Sequence, residues 1–222
     1  MRHYLYLPLI AASALLVAVP VAPAAASAAA PVTHVLTIGK AGGKAVRPGA
    51  VVTAHLVTGT SAVFAFRGLK LTCKSATSTA TVKSNPARPG TARESLTAQT
   101  FAKCKVNFAR VTVLSVRAKN LPYVVRVSDA TGLPVRVSGH SATAPLRVTV
   151  RIKIGTAKFG CSYTAPSITG AASNTGNQVA FALQKFTKVA GRRACPRSAR
   201  FSATFGPVRD VSVTGHPLVF VN

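Results

Sequence analysis

The chain has 222 residues, of which 48% are hydrophobic, and its 28 Lys and Arg side chains stand against three acidic ones, so that its formal net charge is +25. This apolar fraction is too high for a disordered basic tail, which could not bury enough apolar surface to offset the entropy of ordering. The cations are also spread along the chain and not gathered in one run, which indicates a globular surface. The sequence therefore predicts a folded, strongly basic protein.

The first 28 residues have the features of a secretory signal peptide. One basic residue, Arg2, precedes an apolar stretch from Leu5 to Val19, and small residues then offer cleavage sites after Ala26 or Ala28. Prolines interrupt the apolar stretch, and a spanning helix needs about 20 uninterrupted apolar residues. We expect a mature chain without a transmembrane segment that is secreted, extracellular or loosely associated with the cell wall.

Four cysteines follow, at Cys73, Cys104, Cys161 and Cys195. An even number in an exported chain predicts two disulfides. Their wide spacing lacks the close pairs of a zinc site, and the histidines of the chain stand far apart. We therefore expect no metal site and no cofactor.

The two cysteine-bounded segments, residues 73–104 and 161–195, resemble each other. Both open with Cys and small hydroxylated residues, reach a Ser-Asn pair, and carry Gln-x-Phe-x-Lys before the closing Cys. A pattern seen twice predicts an internal duplication, with one β half at residues 29–121 and another at 122–222. Four cysteines allow three pairings, and the repeat favours the one that joins the two ends of each segment.

Alternation of apolar and polar residues, which is the period of a β-strand, recurs along the chain. The segments with this pattern are VFAFRGLKLTC at 63–73, PYVVRVSD at 122–129, LRVTVRIKI at 146–154, NQVAFALQKF at 177–186 and RFSATF at 200–205. Turn signals of Gly and Pro separate them, and no window shows a sustained helical period. Such spacing suits sandwiches or a barrel of antiparallel strands. We predict an all-β fold, an antiparallel β-sandwich built as one large or two small tandem sandwiches.

Two short segments carry a resemblance. Asn120 to Tyr123 follow the second cysteine, and Phe201 to Phe205 follow the fourth. Together with the signal peptide and the four spaced cysteines, they make the chain similar to uncharacterised Ala- and Thr-rich secreted proteins of actinobacteria. The resemblance implies an all-β fold and export from the cell. It implies no activity, because none is assigned to that group. The chain departs from that group in being unusually basic.

Groups for catalysis are scarce. The three carboxylates, Glu94, Asp129 and Asp210, are too far apart in sequence to suggest the paired carboxylates of a glycosidase. Ser212 and His216 could complete a triad with Asp210, but the chain has no G-x-S-x-G elbow, and a polar strand end followed by a turn is the simpler interpretation. We predict that the protein is not an enzyme.

Two groups of cations are candidates for a binding surface. In LRVTVRIKI, Arg147, Arg151 and Lys153 share the polar face of one strand. Two such charges in water repel by only about 0.6 kcal/mol, whereas burial of each apolar partner contributes about 1.5 kcal/mol or more, so folding tolerates these cations without requiring them. The second group surrounds Cys195 and consists of Lys185, Lys188, Arg192, Arg193, Arg197 and Arg200.

Two functions are compatible with these features, and ordinary solvated surface is the competing interpretation of both cation groups. The first function is non-catalytic adhesion to an extracellular or cell-envelope polyanion, either an anionic cell-wall polymer or an anionic lipid surface. Dedicated binding of nucleic acid is disfavoured, because the chain has no Trp and few aromatic residues to stack on bases. The second function is protease inhibition or antagonism, with residues 194–198 as a disulfide-pinned bait loop. The oligomeric state stays open.

Overall fold

The computed structural model describes residues 33–222, so the predicted signal peptide lies outside the described residues. Each segment with period-two alternation forms strand: 63–73 becomes a hairpin that turns at Gly68, and the other four segments each lie largely within one strand. The strands are β1 (Leu36–Ile38), β2 (Lys44–Ala45), β3 (Val51–His55), β4 (Ala62–Phe66), β5 (Leu69–Ser84), β6 (Thr91–Val106), β7 (Val111–Lys119), β8 (Tyr123–Ser128), β9 (Pro134–Ser138), β10 (Leu146–Ile154), β11 (Ala157–Ala165), β12 (Ser167–Ser173), β13 (Gln178–Ala190), β14 (Ser198–Phe205), β15 (Arg209–Asp210) and β16 (Val219–Val221). The predicted all-β class is confirmed.

The predicted β-sandwich is wrong, because eight antiparallel strands close into a barrel. Their order is β12-β9-β8-β6-β5-β4-β14-β13, and β13 pairs back with β12 to complete the ring. Alternation shows only that a strand has one buried and one exposed face, a condition that a sandwich and a barrel satisfy equally. Closure depends on the pairing of β12 with β13, which a local pattern does not encode.

A side sheet branches from the barrel at β13. The first part of this strand, up to Phe181, pairs with β12, and its last part, from Thr187 to Ala190, pairs with β11 instead. The ladder with β14 shifts register between Phe181 and Gln184, which marks the bend between the two parts. Beyond β11 the side sheet continues through β10 to β7. LRVTVRIKI is therefore the central strand of the side sheet and not a barrel strand.

The opposite ends of the described chain meet in a small sheet of order β16-β1-β2. Its residues Leu36, Val219 and Val221 are buried and face the interior of the barrel. Asn85 fastens this sheet to the end of β5, since its side chain accepts a hydrogen bond from Leu36 N and donates to Leu36 O, both at 2.8 Å. The sheet therefore packs against the barrel and contributes to its core.

The predicted disulfide pairing is confirmed. Cys73 lies directly opposite Cys104 on the neighbouring strands β5 and β6, and the bond joins them. Cys161 on β11 is bonded to Cys195 in the connection between β13 and β14. Two disulfides indicate that the protein folds in an oxidising environment.

Both predicted halves supply strands to the barrel. Residues 29–121 contain β4, β5 and β6, whereas residues 122–222 contain β8, β9, β12, β13 and β14. The two cysteine segments differ in structure, because the first is a hairpin with its disulfide between adjacent strands and the second runs through three strands before its disulfide reaches a loop. The internal duplication stays a prediction.

Candidate functional site

None of the three acidic residues is fully exposed, since Asp210 is buried and Glu94 and Asp129 are half-buried. Asp129 accepts hydrogen bonds from backbone and lies 3.5 Å from Arg88, which is the single salt bridge found within residues 33–222. Asp210 is 2% exposed and accepts from the hydroxyl of Ser212 at 2.7 Å. Glu94 lines a cavity inside the barrel. The outer surface of the described chain therefore carries cations with little compensating negative charge.

The polar face of β10 is outward, as its alternation predicts. Arg151 and Lys153 are exposed, whereas Arg147 is half-buried. Leu146 and Val148, which flank Arg147, are buried and line the barrel cavity. The cations of LRVTVRIKI thus lie on the outer side of the side sheet.

Neighbouring strands add cations that the sequence analysis missed. Lys119 on β7 lies directly opposite Arg147, and Arg117 lies opposite Thr149 on the same outward side. Lys158 on β11 lies opposite Lys153. All three are exposed. Alternation in β7 would have indicated that Arg117 and Lys119 share a side, but only the pairing register places them beside β10.

The second predicted group divides in two. Lys185 and Arg200 are exposed cross-strand partners on β13 and β14. Lys185 lies on the same side of β13 as Thr187. Thr187 is opposite Thr164 on β11, and Thr164 is opposite Arg147 on β10. Lys185 and Arg147 therefore share the outer side of the sheet. The outward cations of five adjacent strands are here called the cationic face. Its members are Arg117, Lys119, Arg147, Arg151, Lys153, Lys158, Lys185 and Arg200.

Of the remaining predicted cations, Arg192, Arg193 and Arg197 belong to the loop of residues 191–197, and Lys188 at the end of β13 contacts that loop. The guanidinium of Arg192 stacks 5.6 Å from the ring centre of Phe159, which belongs to the opposite side of β11 from Lys158. Lys188 Nζ lies 3.3 Å from Cys195 O and 3.5 Å from Arg192 O, so it holds the loop. Arg193 and Arg197 are exposed within the loop.

Tyr123 connects β7 and β10, the last two strands of the cationic face. Its hydroxyl accepts a hydrogen bond from Arg147 N at 3.0 Å and contacts the carbonyl oxygens of Arg147 and Lys119. Burial raises the pKa of this hydroxyl above its ordinary value. The tyrosine therefore stays a neutral hydrogen-bonding group that supports the β7–β10 pair from the interior.

A cavity of about 170 Å³ occupies the barrel interior. Four aromatic rings form one part of its wall, with Phe64 and Phe201 at the centre and 4.8 Å between their ring centres. Phe101 and Phe186 contact Phe201 edge to face, each at 6.3 Å. Valines of β8 and β9 form another part of the wall. The cavity is thus predominantly apolar.

Glu94 is the acidic residue of this apolar cavity. It lies on the inward side of β6, two residues from Leu96, and its cross-strand neighbours are Val82 on β5 and Val125 on β8. Within residues 33–222 no group donates a hydrogen bond to its carboxyl. Although the side chain keeps some accessible surface, that surface faces the cavity, and burial raises its pKa from 4.5 to about 7. The sequence analysis noted Glu94 as an acid but had no signal for its inward position.

The candidate triad is only partly assembled. The Ser212 hydroxyl and backbone N–H both point to the Asp210 carboxylate, at 2.7 and 3.0 Å. His216 contributes a backbone carbonyl to Arg209 at 3.0 Å. The Asp210–Ser212 contact therefore closes a turn, and the imidazole is not placed between the two.

The described part of the chain contains no cluster of three or more His, Cys, Asp or Glu side chains that could hold a metal ion. Among residues 33–222 there is no helix that is long and apolar enough to cross a membrane.

The geometry defines a class of fold, a disulfide-bonded antiparallel barrel with a mainly apolar interior. Comparison of the chain with protein-family models, with curated proteins and with solved structures gave no match. The resemblance to actinobacterial secreted proteins is therefore supported only as far as the all-β architecture and the two disulfides.

Proposed function

We propose that the protein is an exported, non-catalytic adhesion protein whose cationic face binds an anionic polymer of the cell envelope. The observation that carries the proposal is the alignment of eight outward cations on five adjacent strands, while the three carboxylates of the chain lie elsewhere. The net charge of +25 attracts polyanions over a distance of about one Debye length, about 8 Å at physiological salt.

The spacing of the cations favours an extended ligand. Neighbouring strands are about 4.8 Å apart, and outward residues of one strand repeat at about 6.7 Å. A polymer that lies across the sheet can contact several cations at once and release a counterion for each contact. A compact anion would reach only one or two of them, so a polymer gains more from this arrangement.

The test compares two variants of equal charge. In the first, Arg117, Arg151 and Lys153 of the cationic face are changed to Thr, which has high strand propensity. In the matched control, three exposed cations near the β16-β1-β2 sheet, Lys40, Lys44 and Arg47, are changed to Thr. Each protein is titrated at several salt concentrations with purified anionic wall polymer, with heparin and with vesicles of anionic lipid.

We expect the cationic-face variant to lose affinity for the wall polymer and to show a smaller slope of log K against log salt, by up to about one unit per lost contact. The control should stay close to the wild type. Equal losses in both variants would show that the binding follows net charge alone. Preferential binding to vesicles would identify lipid headgroups as the ligand in place of the wall polymer.

Protease inhibition is a second candidate because the loop of residues 191–197 is held at several points. The Cys161–Cys195 disulfide, the Lys188 contacts and a backbone bond from Lys188 N to Arg197 O at 2.9 Å restrain it, and Arg197 is exposed. An inhibitor of a protease that cleaves after Arg would lose potency on substitution of Arg197 by Ala. High salt would affect such docking much less than polyanion binding.

A further inference from the structure

The barrel cavity is large enough for a ligand. Its volume of about 170 Å³ is similar to that of an engineered apolar cavity of about 150 Å³ that stays dry and binds benzene. Barrels of eight strands are wide enough to hold one small molecule. The size of this cavity therefore corresponds to a molecule with a single ring.

The wall of the cavity is mainly apolar, and a few Ser, Thr, Asn and Gln side chains also contribute to it. Glu94 and Tyr123 are the two titratable side chains among the lining residues of the described chain. The Tyr123 hydroxyl is already occupied by backbone of β7 and β10. The Glu94 carboxyl has valines as cross-strand neighbours and no protein donor within residues 33–222. Because buried polar groups normally have a partner, this carboxyl is available to a ligand.

The ionisation of Glu94 favours a hydroxyl as that partner. With its pKa raised to about 7 by burial, the carboxyl is present in both forms near neutral pH. A hydroxyl can accept a hydrogen bond from the protonated form and donate one to the ionised form. A carboxylate ligand is disfavoured, because it would place a second negative charge beside the ionised form of Glu94. An ammonium ligand is repelled by the net charge of +25 and must also be desolvated.

We propose that the barrel cavity binds one small, neutral, mainly apolar molecule of single-ring size, whose hydroxyl group hydrogen-bonds with the Glu94 carboxyl. The site is separate from the cationic face, because its residues point to the inside of the barrel and the cations point outward.

Three probes of one shape test the proposal: toluene, benzyl alcohol and benzylamine, which is positively charged at neutral pH. Binding to the wild type is measured by calorimetry and by chemical shifts of the cavity valine methyl groups. We expect benzyl alcohol to bind about three- to tenfold more tightly than toluene, which is the effect of one hydrogen bond. Benzylamine should bind more weakly than benzyl alcohol.

Two substitutions at Glu94 separate the hydrogen bond from the shape of the site. In Glu94→Leu, the affinity for benzyl alcohol should fall to that for toluene. In Glu94→Gln, whose amide still donates and accepts, the preference for benzyl alcohol should persist. The Thr variant of the cationic face should bind all three probes like the wild type, so failure of polyanion binding would leave this result unaffected.

A third substitution fills the cavity. Val127 is buried and lines it, so Val127→Phe should abolish binding of toluene and benzyl alcohol alike. If that variant does not fold, nuclear Overhauser contacts from benzyl alcohol to the Val125 and Val127 methyl groups of the wild type locate the ligand instead. Absence of binding to the folded wild type, contacts outside the barrel, or tighter binding of benzylamine would overturn the proposal.

Discussion

Arg147 and Lys119 lie directly opposite each other on β10 and β7, and the hydroxyl of Tyr123 contacts the backbone of both residues from the interior. Two cationic residues lie on one side of the sheet, Lys119 exposed and Arg147 half-buried, and one neutral hydroxyl joins the same two strands on the inside. At this position the side sheet is held together by buried polar contacts and not by charge pairing on its surface. The cationic face therefore depends on the core beneath it.

We expect Tyr123→Phe to lower the free energy of unfolding by about 1–3 kcal/mol, because Arg147 N would lose its hydrogen-bond partner in a partly buried place. Urea denaturation measures the change. Tyr163→Phe is the matched control, since Tyr163 is also buried but has no side-chain hydrogen bond within residues 33–222. A loss as large in the control would show that the hydroxyl contacts of Tyr123 are not the cause.

Glu94 should make stability depend on pH. Its pKa is raised from 4.5 to about 7 in the folded state, so the folded protein binds more protons than the unfolded chain between these values. The stability that the neutral carboxyl contributes is therefore fully present below about pH 4.5 and lost as the pH rises through about 7. The shift corresponds to a few kcal/mol at most.

The measurement is the free energy of unfolding of the wild type relative to Glu94→Gln between pH 4 and pH 8. We expect the difference to move against the wild type as the pH rises and to level off above neutral pH. Parallel curves for the two proteins would contradict the buried position of the carboxyl.

Barrel closure should depend on the absence of a side chain at Gly170. This residue lies opposite Phe181 where β12 meets β13, and a Cβ at Gly170 would come within 2.3 Å of Ala180 O and 2.7 Å of the Phe181 ring. We expect Gly170→Ala to destabilise the fold by about 1–3 kcal/mol, as overpacking does. The exposed Ala171 on the same strand provides the control, because Ala171→Val should be nearly neutral. Thermal unfolding of both variants would show whether the close approach matters.

The two disulfides should contribute similarly to stability. Their loops span 31 and 34 residues, so each constrains the unfolded chain by about 3.5–4 kcal/mol on the chain-entropy argument. We expect the paired substitutions Cys73→Ala with Cys104→Ala, and Cys161→Ala with Cys195→Ala, to lower the urea midpoint by comparable amounts. Only the second pair should increase proteolytic cleavage in the loop of residues 191–197, since its disulfide holds that loop. Cleavage there in both pairs would contradict a local role for Cys195.

The strands and the cysteine pairing could be predicted from sequence because their signals are local or repeated. The alternation of LRVTVRIKI predicts which residues of β10 are buried, and Leu146, Val148 and Val150 are buried in the structure as that pattern predicts. The Gln-x-Phe-x-Lys repeat indicated the pairing that both disulfides have. The excess of cations is evident from the sequence alone, because it is a property of composition.

Barrel closure, the membership of the cationic face and the position of Glu94 depend on pairing between residues that are distant in sequence. The segment SITGAAS has small residues without clear alternation, yet its pairing as β12 with β13 converts an open sheet into a barrel. Arg117 joins Arg151 on one surface only through the β7–β10 register, and Glu94 faces a cavity only because the sheet closes around it. A period of two residues specifies two faces for each strand, but the side on which the core forms is decided by contacts among many strands.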